Sequence, residues 1–84
     1  MEVIFHKNFE KKFKKIPAMI QKQFYKRLSI FLDNKSDRLL NCHSVDGAYP
    51  NCKSINVNGD YRAIFHDQGE VVIFITIGTH SDLY

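Results

Sequence analysis

Apolar residues recur along this chain in two different periods, helical up to about Phe31 and alternating from Lys53 onward. Val3-Ile4-Phe5 is short and β-branched, which predicts a first strand. Asn8 then offers a helix N-cap, its side chain able to accept from the free N–H groups of a first turn. Phe9, Phe13 and Ile16 follow at helical spacing, with Lys11, Lys12, Lys14 and Lys15 around them. Pro17 ends that helix and suits the first turn of the next. Ile20, Phe24, Leu28 and Phe31 mark one apolar stripe, with Met19 and Leu32 beside it, and Asp33-Asn34-Lys35-Ser36 stops it. The first third therefore predicts a helical hairpin bent at Ile16-Pro17.

Between Leu39 and Asn51 the pattern is irregular, with turn signals at Asp46-Gly47 and Tyr49-Pro50-Asn51. Lys53 to Val57 alternates, Ile55 and Val57 facing away from Ser54 and Asn56. Asn58-Gly59 predicts a two-residue hairpin turn. In the next strand Tyr61, Ala63 and Phe65 share one face, while Asp60, Arg62, Ile64 and His66 share the other. A short turn at Asp67-Gln68-Gly69 leads to Val71–Ile77, apolar on both faces as a central strand requires. The order β-α-α-β-β-β predicts a single α+β domain over residues 1–84. A helical hairpin packs on one face of a small, mostly antiparallel sheet. The opposite face, with Arg62 on it, is expected to remain an open concave surface.

Composition adds constraints. The chain has 84 residues and a net charge of +3, small enough that one modest core must stabilise it. Lys and Arg outnumber acids eight to two in residues 1–30, but acids lead seven to four in residues 31–84. A basic module on a mildly acidic remainder points to a polyanionic partner, either RNA or an acidic protein segment. No charged-then-apolar leader pattern appears, and the longest apolar run falls far short of the ~20 residues of a membrane helix. A cytoplasmic protein with no membrane association is expected. Cys42 and Cys52 lack metal-ligand spacing and are read as reduced thiols, with no metal and no cofactor.

The candidate chemistry gathers in Gly59–Tyr84, where an arginine, two histidines and a tyrosine sit around the edges of a compact sheet. Such groups can grip a phosphate, move a proton and stack on a base. Each also has a plainer role open to it. Arg62 can pair with Asp60, Tyr84 can cap the core, and His80 can be an ordinary surface histidine.

Three segments carry a resemblance. They are Leu40-x-x-His43-x-x-x-Gly47, then Ser54-Ile55-Asn56-Val57-x-Gly59-Asp60-x-Arg62-Ala63-Ile64-Phe65, then Ile77-Gly78-Thr79-His80-Ser81-x-Leu83-Tyr84. This pattern resembles the YafQ-like branch of the RelE/ParE superfamily of toxins from type II toxin–antitoxin pairs. The resemblance implies a RelE-like fold and an endoribonuclease that enters the ribosomal A site and cuts the mRNA there. It also implies a cognate antitoxin that silences the toxin, with operator DNA reached only through that antitoxin. Carried over by position, His80 matches the histidine of the GTH motif, a general acid or base. Tyr84 matches the aromatic that this branch places in its site, and His43 matches the histidine of an HxLxG-type element. Asp60 and Tyr61 match an acid–aromatic pair, and Arg62 an arginine used on phosphate.

Metal-free RNA cleavage needs a base for the 2′-OH, a cation on the phosphorane and an acid for the leaving 5′-oxygen. His80 and His43 suit the two proton transfers, since imidazole ordinarily titrates near neutral pH. Asp60 can orient one imidazole, and Arg62 and Lys53 can hold phosphate. Tyr61 and Tyr84 can stack on unpaired bases, and Lys11, Lys14 and Lys15 offer an RNA-binding helix face. The chain departs from the pattern at Asn51-Cys52-Lys53, where relatives often carry a Gly-aromatic-Arg/Lys run, and at Asn56, where some carry histidine. Two other functions therefore stay open. One is a ParE-like inhibitor of DNA gyrase, and the other is an inactive toxin fold that only binds antitoxin.

Overall fold

The computed structural model describes all 84 residues. Strand β1 (Glu2–Phe5) leads into helix α1 (Lys7–Phe13) and helix α2 (Ala18–Asp33). A 3-10 turn (Arg38–Leu40) and a two-residue strand β2 (His43–Ser44) follow. Strands β3 (Cys52–Asn56), β4 (Tyr61–Asp67) and β5 (Val71–Thr79) come next, and a one-turn helix α3 (His80–Leu83) completes the set. No helix is long and apolar enough to cross a membrane.

The five strands form one sheet in the order β1-β5-β4-β3-β2. β1 pairs with β5 in parallel, reached by the helical crossover, and the other pairs are antiparallel. Val3 and Phe5 of β1, Ile55 of β3, Ala63 and Phe65 of β4, and Val72, Phe74 and Ile77 of β5 meet Phe9, Phe24 and Phe31 from the helices. All seven phenylalanines join in one connected network, in which Phe24 meets Phe74 edge-on at 5.5 Å and Phe31 meets Phe65 at 5.0 Å. Aromatic pairs at these separations and tilts add to simple area burial.

Three local predictions are corrected. His6, not Asn8, caps α1; its Nδ1 accepts from the Asn8 N–H at 3.1 Å, so a ring nitrogen supplies the lone pair expected from the amide. Asn58-Gly59 does not form a two-residue turn. Val57 N–H donates to the Tyr61 carbonyl at 2.9 Å, which leaves Asn58, Gly59 and Asp60 as a three-residue loop. Neither Asn58 nor Gly59 adopts the positive φ that a primed turn demands. Instead the Asn58 side-chain oxygen accepts from Asp60 N–H (2.9 Å) and Tyr61 N–H (2.7 Å) and shapes the loop itself.

The third correction concerns the sheet face turned away from α1 and α2, which is not left open. Cys52, Ile64 and Leu83 form a second, small core there, flanked by Val45, Tyr49 and Ile75. Helix α3 folds back across this face because Thr79 caps it, its Oγ1 accepting from Asp82 N–H at 3.2 Å. Leu83 then lies over Gly78, where an added Cβ would come within 3.4 Å of its Cδ2. A β-bulge opposite Ile64 and Phe65 also redirects β5. Ile64 pairs with Thr76 but Phe65 with Phe74, so Ile75 is the extra residue and turns to this second face.

Candidate active site on the far face of the sheet

The register decides which predicted groups share a surface. His43 is opposite Ser54, Ser54 opposite Ile64, and Ile64 opposite Thr76, a row of four residues on the far face. Asn56, Arg62 and Gly78 form the next row. Helix α3 sits at the β5 end of these rows and His43 at the β2 end, about three strand spacings or ~14 Å across.

At the α3 end, the rings of His80 and Tyr84 lie 4.8 Å apart, both exposed. Tyr84 meets Tyr49 edge-on at 6.1 Å, and the Tyr49 hydroxyl donates to the Leu83 carbonyl at 2.9 Å. Burial raises the Tyr49 phenol above its ordinary value, with neighbouring Tyr84 adding to the effect. Tyr49 thus stays a neutral donor that braces α3. Its sequence signal was only that of a turn, Tyr49-Pro50-Asn51, so this bracing role went unread.

At the β2 end, His43 Nδ1 lies 2.7 Å from the Asn41 carbonyl. A carbonyl can only accept, so Nδ1 carries a proton, and in the neutral ring the lone pair is therefore on Nε2. Asn41 is held in the left-handed region (φ 47) by the end of the 3-10 turn, which aims that carbonyl back at the ring.

Asp60 lies in the loop before β4, and Arg62 near the start of β4 itself. Asp60 joins His80 through the backbone, its carbonyl accepting from His80 N–H at 2.9 Å, while its carboxylate stays exposed. Arg62 donates to the carbonyls of Asn58 (2.9 Å), Tyr61 (3.0 Å) and Gly59 (3.3 Å), so its guanidinium staples that loop. Tyr61 faces the helix side instead, half-buried against the main core. There it lines a groove with Lys12, Lys15 and Asp82. Lys11, Lys14 and Lys15 lie with Lys7 and Glu10 along α1 and just past its end. Lys53 is exposed on the helix side of β3, between Ser44 of the edge strand β2 and Phe65 of β4. The structure therefore gathers His80, Tyr84 and Tyr49 closely, and leaves His43 and Lys53 at the sheet edge.

Beside its small apolar core, the far face also carries buried polar atoms. Ser54 Oγ, Asn56 Oδ1 and Thr76 Oγ1 are all buried without a hydrogen-bond partner. An unpaired buried polar atom costs stability, so two hydroxyls and an amide oxygen on one face mark a surface not shaped by stability alone. Ser54 and Asn56 were legible on this face from the alternation of β3; Thr76 was hidden by the bulge. Both thiols are held neutral by burial, Cys42 with opposition from Lys53 and Cys52 with reinforcement from Asp46.

A helical hairpin over one face of a mostly antiparallel sheet, with a last helix folded onto the other, defines a RelE-like toxin fold. YafQ from E. coli strain BL21(DE3) matches it with a TM-score of 0.78 at 15% identity, over 99% of this chain and 97% of that one. The chain is similar in the same way to the toxin in a RelB–RelE antitoxin–toxin complex from Methanococcus jannaschii (TM-score 0.76, 24% identity, 96% and 94% covered). It also matches a YoeB/ParE toxin from Agrobacterium tumefaciens (0.78, 10%, 95% and 99%). No curated protein is similar enough in sequence to count as a match. Residues 3–84 match the model of the ParE toxin family of type II toxin–antitoxin systems, and the chain belongs to that family, within the RelE/ParE superfamily.

Proposed function

We propose that this toxin is a metal-independent endoribonuclease that cuts mRNA in the ribosomal A site. The observation that carries the reading is the exposed His80–Tyr84 pair on the same sheet face as His43, whose Nε2 lone pair is free. One imidazole takes the proton from a ribose 2′-OH, and the 2′-oxygen bonds to phosphorus. The bond from phosphorus to the 5′-oxygen breaks, and the other imidazole, protonated, delivers its proton to that oxygen. The products are a 2′,3′-cyclic phosphate and a 5′-hydroxyl. His43, held as the tautomer with free Nε2, is fitted to be the base, and His80 the acid. Tyr84 holds a base by stacking. Arg62 keeps two N–H groups beyond its loop contacts for phosphate, and the α1 lysines approach the rest of the strand.

Purified protein added to translating ribosomes tests this. Cleavage of the translated mRNA is expected from wild type, with loss of ~10²–10⁴-fold in rate for His80→Ala. Intact mRNA with the wild-type protein refutes it.

A second reading has its own support. The matching family is named for ParE, and Arg62 is spent largely on its loop carbonyls. A ParE-like gyrase inhibitor would block supercoiling by purified gyrase, and His80→Ala would block it equally well.

In either case the partner is an acidic antitoxin segment, disordered when free, that folds onto the α1–α2 surface or the sheet. Lys7, Lys11, Lys12, Lys14 and Lys15 make no ion pair, the single one in the chain being Lys35–Asp67. Beside them Phe5, Phe9, Phe13, Phe24 and Tyr25 line a groove of about 160 Å³ suited to an apolar anchor. Co-purification with the neighbouring operon product as a stable complex is expected; a toxin that elutes alone contradicts it.

A further inference from the structure

The sheet edge at β2 and β3 carries a second feature, which includes His43 but reaches beyond the proton chemistry. An open cleft of about 660 Å³ lies between the 3-10 turn and this edge. Arg38, Lys53 and His43 line it, with the hydroxyls of Ser36 and Ser44 and the carboxylate of Asp37. His43 belongs to the far face and Lys53 to the helix face, so the cleft wraps around the edge and draws cations from both sides.

The charges there are uncommitted. Arg38 and Lys53 are exposed, form no ion pair and donate to no protein acceptor. Asp37, the one acid in the lining, is occupied, its Oδ1 accepting from Leu39 N–H at 2.9 Å to cap the 3-10 turn. Two cations and an imidazole thus converge against Asp37, while Asp67, near enough to feel Lys53, is already paired with Lys35 at 3.0 Å. Cys42 is the only apolar residue in the lining. A peptide anchors through buried apolar side chains, for which this cleft offers no seat. A nucleic-acid strand binds mainly through its phosphates.

We propose that this cleft is a phosphate-binding site for single-stranded RNA, in which Arg38 and Lys53 hold a backbone phosphate next to the one cut. Arg38 supplies the planar fork that grips two phosphate oxygens, and Lys53 supplies a mobile point charge. The site fixes where the strand crosses His43. It rests on the RNA-cleavage reading but adds Arg38, a residue outside the proton chemistry, and its binding can be measured without cleavage.

The test uses a labelled single-stranded RNA with 2′-O-methyl riboses, which cannot be cut, titrated by fluorescence anisotropy over a range of salt concentrations. Each phosphate contact contributes about −0.7 to the slope of log K against log salt. The double variant Arg38→Ala/Lys53→Ala gives up that one phosphate, so it should lose about 0.7 from the slope and bind more weakly at low salt. Lys22→Ala/Lys26→Ala removes the same charge from the exposed outer face of α2 and should keep the wild-type slope. Should the alanine pair melt early, Arg38→Gln/Lys53→Gln keeps the side-chain length and carries the same expectation. If the cleft variant keeps the wild-type slope and affinity, the site is refuted while RNA cleavage stands. If both double variants lose slope equally, net charge rather than a site is at work, which also refutes it. If wild type shows no salt-dependent RNA binding, the site and the RNA reading fall together.

Discussion

On the helix side of the sheet, seven phenylalanines touch in one network and eleven buried residues form a continuous apolar core. On the far side only Cys52, Ile64 and Leu83 are buried together, beside three polar atoms without partners and two exposed histidines. The same strands build both faces, since alternate residues of β3 and β4 point to each. The helix face does what a small domain must do to stay folded. The far face accepts a thin core and unsatisfied hydroxyls, which stability alone would not retain. Strain of that kind commonly collects where a protein acts.

The largest expected effect tests the helix face. Phe24 is fully buried and meets five other aromatic rings. Phe24→Ala should cost about 3–5 kcal/mol in denaturant titration, much of the stability of a domain this small. An unchanged midpoint would move the core elsewhere. The next tests the far face by function. His80→Ala should leave the melting curve unchanged, because the exposed ring makes no hydrogen bond and meets only Tyr84, at a tilt of 48°. A large fall in melting temperature would make His80 a structural residue.

A smaller effect sharpens the contrast. Thr76→Val replaces an unpartnered hydroxyl with a methyl group of similar shape and should raise stability by about 1 kcal/mol. A lower melting temperature would mean that the hydroxyl has a partner. The smallest concerns Asp67, at the far end of β4 from the site. Its carboxyl is held below the ordinary value first by the Gly69 N–H and then by Lys35. A depressed carboxyl adds stability that is full above its unfolded pKa, near 3.9, and is lost as pH falls through the lower folded value. Asp67→Asn should cost no more than ~1 kcal/mol at neutral pH, since Lys35 is partly exposed, and should flatten the decline below about pH 4. An unchanged acid limb would show that Asp67 titrates alike in both states.

Long periodic segments were the legible part of this fold. The Ile20–Phe31 stripe specified α2, and alternation through Ser54–Val57 and Tyr61–His66 assigned both faces of β3 and β4 correctly. What escaped were features that leave no period. A two-residue strand such as β2 shows no alternation, and the β5 bulge breaks the alternation that would have placed Thr76. Helix α3 is too short for a stripe, yet Thr79-His80-Ser81-Asp82 carries its cap signal, a threonine three residues before an acid. Because that helix went unread, the far face was expected to be open. The same gap hid Tyr49, whose role depends on where α3 ends. Arg62 carried no sign of its loop contacts, since those carbonyls are backbone and any residue supplies them.

Primer extension on a reporter mRNA, after a short pulse of expression of wild type beside His80→Ala, tests the division between the two faces most directly. Cuts inside translated codons with wild type, absent with an equally stable His80→Ala, are the predicted result. Cuts that persist in the variant, or intact mRNA under wild-type arrest of growth, would contradict it.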